Sequence, residues 1–311
     1  MKYWQKIATA LAFVAGLAGA MPALAADGAK QSQIDKALAQ DAVCTRCHDD
    51  SEQKPVLSIY KTRHGVKADG RTPTCQSCHG ASEAHVKNAT NASERPPVDA
   101  LGSRAKATSK DVEGCVGCHS SGKRSHWSGS AHERADVLCT SCHQMHTHND
   151  KVREKTTQPE VCFACHKEQR AQYSRTSRHP IKDGKMACSD CHNPHGSAGP
   201  TLMVRDSVVA TCHTCHMEKR GPFVRNHQPV QEDCSICHNP HGTTTPNLLK
   251  TRPPFLCQEC HEPATHQGRV ASLTGTSTGA NTAARGCLNC HSNIHGTNNP
   301  ANINNERTFR R

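Results

Sequence analysis

The chain has 311 residues, of which 20 are Cys and 23 are His, while only 34% are hydrophobic and 3% aromatic. A typical globular domain is about 45–50% apolar, so a chain of this length lacks the Leu, Ile, Val and Phe to fill a large core. Disorder gives no reason for so many Cys and His. The formal net charge of +11 first raises the question of nucleic acid, which the cysteine pattern below makes unnecessary.

In chain order, the first element is a leader. Lys2 and Lys6 precede an apolar stretch from Ile7 to Ala20, and Ala23-Leu24-Ala25 has the small-x-small form of a cleavage site. The apolar run is shorter than the roughly 18 residues a membrane span needs. Residues 1–25 are therefore read as a cleaved Sec signal peptide, and 26–311 as the exported protein.

Every cysteine then falls in a C-x-x-C-H pentapeptide. The pairs are Cys44/Cys47, Cys75/Cys78, Cys115/Cys118, Cys139/Cys142, Cys162/Cys165, Cys188/Cys191, Cys212/Cys215, Cys234/Cys237, Cys257/Cys260 and Cys287/Cys290. Disulfides suit an exported chain but do not explain a His after each second Cys. Zinc sites and thioredoxin-like motifs fail on the same repetition. The motif is the attachment site of c-type haem: two thioether bonds to the vinyl groups, with the adjacent His as proximal iron ligand. Ten covalently bound haems follow, on proximal His48, His79, His119, His143, His166, His192, His216, His238, His261 and His291.

Thirteen histidines remain, enough to give every iron a second imidazole. One set precedes the even-numbered motifs: His64, His132, His179, His227 and His266. The first four have an aromatic shortly before them, at Tyr60, Trp127, Tyr173 and Phe223. A second set follows the even motifs: His85, His146, His195, His241 and His295, with His195 and His241 in repeated Asn-Pro-His-Gly segments. These ten are the expected distal ligands. A His three residues past a proximal ligand starts on the proximal side of that porphyrin, so His146, His195 and His241 are expected to ligate neighbouring haems. His126, His148 and His213 are left as bystanders, although His148 follows the same motif as His146. No Met occupies a repeated position, so the irons are expected to be bis-His and low-spin.

The motifs group as five two-haem repeats, with odd-numbered motifs starting at 44, 115, 162, 212 and 257. Such self-similarity implies an extended, quasi-linear array. The expected fold class is a multihaem cytochrome c: little regular secondary structure, with short α-helices and loops wrapped round ten haems. Gly80–Gly114 and the Ser/Thr/Gly/Ala-rich run Gly268–Gly286 read as surface insertions, and Thr297–Arg311 as a mobile tail. Two propionates per haem absorb the basic excess.

About 29 residues of exported chain serve each haem. So little protein cannot insulate the macrocycles, and electrons must pass between them. With His closing every motif and enough distal candidates, no open iron is expected, hence no catalytic residues and an electron carrier rather than an enzyme.

The chain resembles the MtrA/DmsE family of periplasmic decahaem cytochromes, which includes MtoA and PioA. The resemblance lies in the ten motifs and their order and in the aromatic–His–C-x-x-C-H-N-P-H-G units at 173–196 and 223–242. It extends to the Cys-His-Met-Glu-Lys-Arg-Gly-Pro segment at 215–222 and the Cys-Leu-Asn-Cys-His-Ser-Asn-Ile-His-Gly segment at 287–296. It implies a conduit between periplasm and cell surface, seated in an outer-membrane β-barrel porin of MtrB/MtoB/PioB type. It also implies exchange with periplasmic or inner-membrane cytochromes, and with a surface multihaem cytochrome or iron itself. A sheath is physically required, because loop-rich backbone cannot face lipid whereas a barrel lumen is polar. Outward flow to Fe(III) and inward flow from Fe(II) both remain open. The other functional class is a soluble periplasmic shuttle or storage protein.

Overall fold

The computed structural model describes residues 21–299 except 53–54, 68, 89, 92–93, 103–108, 262–286 and 290. The leader up to residue 20, His266, Cys290, the run Gly268–Gly286 and the tail beyond Asn299 thus lie outside the described residues. The first helix, Met21–Thr45, runs across the expected cleavage point after Ala25 and delivers Cys44 from its last turn.

The rest is short helices and loops. Among the described residues the β pairing consists of isolated bridges, Ser177↔Thr243, His192↔Met203, Arg225↔Thr297 and His238↔Leu249. Most helices span only four to eight residues, and several begin at or run into a C-x-x-C-H motif, such as Cys75–His79, Ser109–Val116, Cys139–Cys142, Gln158–Phe163 and Phe255–Gln258. Buried apolar side chains among the described residues amount to Phe163, Tyr173, Ile181 and Ala187. Only Phe163, Tyr173 and Ile181, with Met186 against them, form a cluster. A fold with so small an apolar core draws little on the hydrophobic term that stabilises ordinary domains.

The chain forms two compact units, one from Met1–Ser120 with Asp136–Lys151, the other from Ser121–Ala135 with Val152–Arg311. The division cuts through the second two-motif repeat. In the first unit Asp41 ties the opening helix to the second motif. It is 3% exposed, accepts the Cys75 N–H at 2.8 Å and the Tyr60 hydroxyl at 3.0 Å, and pairs with Lys67 at 2.9 Å. Burial alone raises its carboxyl, but Lys67, the Cys75 N–H and Tyr60 outweigh that and hold the pKa below its usual value. Burial, followed by Asp41, pushes the Tyr60 phenol up.

Segment Gly80–Gly114 is more than a surface insertion. It contains helix Glu83–Lys87 and folds back on the second motif, where Asp99 accepts the Ser82 N–H at 2.7 Å. The Ala100 carbonyl takes the His79 ring N–H at 2.9 Å. Its polar, Pro-containing composition reads as loop, and its role comes from carbonyls that composition does not reveal.

In the second unit successive repeats interlock. The segment preceding one even motif lies on the Pro-His-Gly or Ile-His-Gly segment that follows the next even motif. Tyr173 meets His241 at 5.7 Å between ring centroids and Trp127 meets His195 at 6.4 Å. Ser177 and Thr243 exchange backbone bonds of 3.0 and 2.8 Å, and Arg225 and Thr297 exchange bonds of 3.1 and 3.0 Å. Glycine is required at the crossing: a Cβ on Gly242 (φ 140°) would collide with the Gln172 carbonyl, and one on Gly196 (φ 102°) with that of His126. The Arg225 bridge also corrects the expectation of a mobile tail beginning at Thr297, since Thr297 is 5% exposed.

Candidate haem-binding sites

Each motif is one turn of helix. The His N–H returns to the carbonyl of the first Cys at 2.8–3.1 Å in the motifs starting at Cys44, Cys115, Cys139, Cys162, Cys188, Cys212, Cys234, Cys257 and Cys287. Cys75–His79 is a helical turn in itself. An i→i+4 turn puts side chains three apart on one face, so both thiols face the same way with the imidazole beside them. Polar residues before or inside the motif cap the turn: Thr74 accepts the Ser77 N–H at 3.3 Å, and Asp233 accepts the Ser235 N–H at 2.7 Å.

The thiols follow a rule of twos. The first cysteines of the two motifs in each repeat interact: Cys44 with Cys75, Cys115 with Cys139, Cys162 with Cys188, Cys212 with Cys234 and Cys257 with Cys287. As free thiols, the members of such a pair perturb each other. Cys115 holds Cys139 down to about 6 and is itself raised, while Cys212 holds Cys234 down to about 7. Once they are thioethers, these sulfurs no longer titrate.

The two cysteines of a motif differ in how the chain covers them. All the first cysteines are half-buried, but the second cysteines Cys47, Cys78, Cys118, Cys165, Cys215 and Cys260 are exposed. Cys142, Cys191 and Cys237 are half-buried, and every described cysteine is free of a disulfide. The chain therefore does not enclose these six predicted attachment residues, in contrast to the buried setting usual for Cys. Bond formation needs a reachable thiol, so exposure is compatible with thioether attachment at Cys47, Cys78, Cys118, Cys165, Cys215 and Cys260.

The imidazoles also come in twos. Eight proximal–distal ring pairs occur among the described residues. By centroid separation they are His48–His85 at 6.2 Å, His64–His119 at 5.8 Å, His79–His146 at 5.9 Å and His132–His166 at 6.1 Å. The others are His179–His216 at 6.4 Å, His192–His241 at 6.0 Å, His227–His261 at 6.0 Å and His238–His295 at 6.1 Å. A metal–imidazole bond of about 2.0 Å plus about 1.1 Å from nitrogen to ring centre puts two trans imidazoles about 6.2 Å apart. The His64 and His119 Nε2 atoms face each other at 3.5 Å, about half an ångström short of two such bonds end to end. The described residues contain no group of three or more His, Cys, Asp or Glu suited to one ion, whereas structural zinc takes four ligands. Paired rings and paired thiols fit an axially ligated haem.

The ring nitrogens facing away from these pairs are held in place. Nδ1 of His79, His85, His132, His146, His179, His192 and His238 lies 2.7–2.9 Å from the carbonyls of Ala100, Pro96, Pro194, Val56, Pro240, Thr201 and Asn247. A carbonyl only accepts, so Nδ1 carries the proton and Nε2 keeps its lone pair for a metal. His48 and His143 instead meet carboxylates, Glu52 at 3.0 Å and Asp150 at 2.7 Å. Burial pushes the pKa of His227, His238, His241 and His295 down, and the facing rings of His261 and His192 add to this at His227 and His241. Neutral imidazole is the ligating form.

One supporting device escapes the sequence reading. Pro200–Leu202 and Pro246–Leu248 form left-handed turns, with φ of 48° and 60° at Thr201 and Leu202 and of 58° and 60° at Asn247 and Leu248. Each turn offers its middle carbonyl to the proximal His of the preceding motif. Asn193 and Asn239 N–H groups close it onto the Leu202 and Leu248 carbonyls at 2.7 and 2.8 Å. The visible signal was a Pro-x-Leu eight residues after His192 and again after His238. Among the remaining histidines, His148 donates Nδ1–H to the Lys61 carbonyl at 3.1 Å, His195 packs on Trp127, and the His126 carbonyl lies under Gly196.

Paired C-x-x-C-H turns in a loop-rich chain, with imidazoles facing each other in pairs, define a multihaem cytochrome c. Comparison agrees. A doubled C-x-x-C-H motif family matches residues 179–221 and 227–266, and a cytochrome c-type NrfB-like family matches 75–157. The multihaem cytochrome MtrA of Shewanella baltica (strain OS185) is 44% identical over 269 residues, covering 83% of this chain and 78% of that protein. The chain belongs to the MtrA family of multihaem cytochromes. It binds c-type haem covalently through its C-x-x-C-H motifs and is an electron carrier, not an enzyme.

Proposed function

We propose that the protein carries ten haems, all bis-His, and conducts electrons between periplasm and cell surface within an outer-membrane β-barrel porin of MtrB/MtoB/PioB type. The observation that carries the axial assignment is the set of eight ring pairs near 6 Å. When bound, each haem supplies a one-electron Fe(III)/Fe(II) couple. The chain's own task is to fill both axial positions, which leaves no place for a substrate. Backbone carbonyls lock the tautomer and ring orientation, limiting reorganisation as charge arrives and leaves.

The ligand register supports an ordered series. His64, His132, His179 and His227 each face the first proximal His of the following repeat, at His119, His166, His216 and His261. His146, His241 and His295 each face the second proximal His of the preceding repeat, at His79, His192 and His238. Each repeat is thus tied to its neighbours through iron as well as backbone.

Membership in the MtrA family supports the barrel, the periplasmic location and the link to extracellular iron. Among the described residues no helix is long and apolar enough to cross a membrane, and a barrel with a polar lumen would supply the sheath that loop-rich backbone needs in lipid. Isolation of the native protein from outer membranes in mild detergent tests this. Co-purification with a β-barrel in fixed ratio supports the conduit, and recovery wholly in the soluble periplasmic fraction without a barrel supports a free shuttle.

A further inference from the structure

The proximal imidazoles are not held alike. Among the even-numbered motifs, His79, His192 and His238 give their Nδ1 proton to main-chain carbonyls at 2.8–2.9 Å. His143, in the equivalent position of the second repeat, faces the Asp150 carboxylate at 2.7 Å. That carboxylate is pinned: its other oxygen accepts the Gln144 N–H at 3.3 Å, and its side chain is 11% exposed. In the first motif both Glu52 oxygens lie 3.0 Å from His48 Nδ1, with the Glu52 side chain 32% exposed. The Glu218 carboxylate, 3.6 Å from His216 Nδ1 and 60% exposed, is too distant and too solvated to act the same way.

Given the axial assignment above, we infer that Asp150 and Glu52 are positioning residues that set the haems on Cys139/Cys142 and Cys44/Cys47 at lower reduction potential than the haems whose proximal His is held by a carbonyl. A full negative charge on the far side of the ring draws the Nδ1 proton, strengthens Nε2 as a donor and favours the ferric state. A carbonyl brings only a dipole. The weaker solvent screening at Asp150 makes its effect the larger of the two. These two centres are then reduced after the carbonyl-held ones and make the array uneven along its length.

The test uses the full-length exported cytochrome, its haem load counted by intact mass, in potentiometric titrations followed optically and by EPR. Asp150→Asn is expected to move one centre upward while the rest hold. At a fixed potential its oxidised-to-reduced ratio falls about tenfold, equivalent to about 59 mV for a one-electron couple. Glu52→Gln moves a different centre by less, and Asp150→Glu restores the parent curve. A fully loaded Asp150→Asn protein whose titration superimposes on the parent overturns the inference while leaving ligation intact. If that variant loses the haem on Cys139/Cys142, the solvent-facing Glu52→Gln decides: a raised centre supports the inference, and an unchanged curve overturns it. His143→Ala separately tests the ligand assignment; if every iron stays low-spin, the assignment fails first and the inference with it.

Discussion

His192 and His241 face each other with ring centroids 6.0 Å apart and planes inclined by 24°, although His241 lies only three residues past the proximal His238 of another motif. His241 thus faces the proximal ring of a neighbouring motif, while the ring opposite His238 is His295. His241 is held from two sides, by the Tyr173 ring at 5.7 Å and by its own N–H bonded to Asn239 at 3.1 Å.

Replacing His241 by Ala is therefore expected to convert one low-spin iron to high-spin, that of the haem on Cys188/Cys191. EPR of the variant alone and in a Cys188→Ala/Cys191→Ala background checks this. In the background lacking that haem, His241→Ala should produce no new high-spin signal; a signal that persists there would place the ligand elsewhere.

The Asp41–Lys67 pair predicts an acid-sensitive first unit. Removing one partner of a buried pair costs about 3 kcal/mol, so Asp41→Ala should lower the unfolding free energy by that order in denaturant titrations. The folded carboxyl has a pKa below the usual value of 3.8. Its contribution is therefore complete above about pH 4 and is lost as pH falls through the lowered folded value. The gap between variant and parent should narrow as pH falls through that value, and a gap that stays constant across the acid range would contradict the account.

Two glycines separate docking from propensity. Gly242→Ala should destabilise the fold by more than about 2 kcal/mol, the scale of overpacking with added backbone strain, because its Cβ meets the Gln172 carbonyl. Gly114→Ala, in helix Ser109–Val116 with open space around it, should gain about 0.5–1 kcal/mol. Thermal unfolding of the two loaded variants orders them, and equal melting temperatures would deny the crossing its importance.

The repeated left-handed turn gives an internal prediction. Thr201 is β-branched at φ 48°, where Asn247 stands in the equivalent turn. Asn tolerates this region far better, so Thr201→Asn should raise stability by about 1 kcal/mol without altering the haem spectrum. A lower melting temperature would show that the threonine side chain, whose hydroxyl bonds the Pro200 carbonyl at 2.8 Å, outweighs the strain.

Covalent attachment was legible because its chemistry demands contiguous residues: two thiols and a His fit one helical turn and leave one spelling. The small apolar core was legible from composition. Ligand pairing was less so, because it depends on which repeats interlock. That His146 and His241 face proximal rings of other motifs agrees with chain geometry, but that His85 faces His48 of its own repeat while His146 faces His79 of the preceding one could not be read from it. The carbonyls of Ala100, Thr201 and Asn247 were invisible because a main-chain acceptor has no side-chain signature. The same holds for Gly80–Gly114, whose contribution to the second motif is largely backbone.

The central claim, conduction across a membrane, is tested most directly in sealed liposomes. The cytochrome and its co-isolated barrel are reconstituted around an internal redox dye, and a membrane-impermeant reductant is added outside. Rapid dye reduction that requires both proteins and slows in the His241→Ala variant is the predicted result. A dye that stays oxidised, with every haem loaded and the barrel present, would contradict the account.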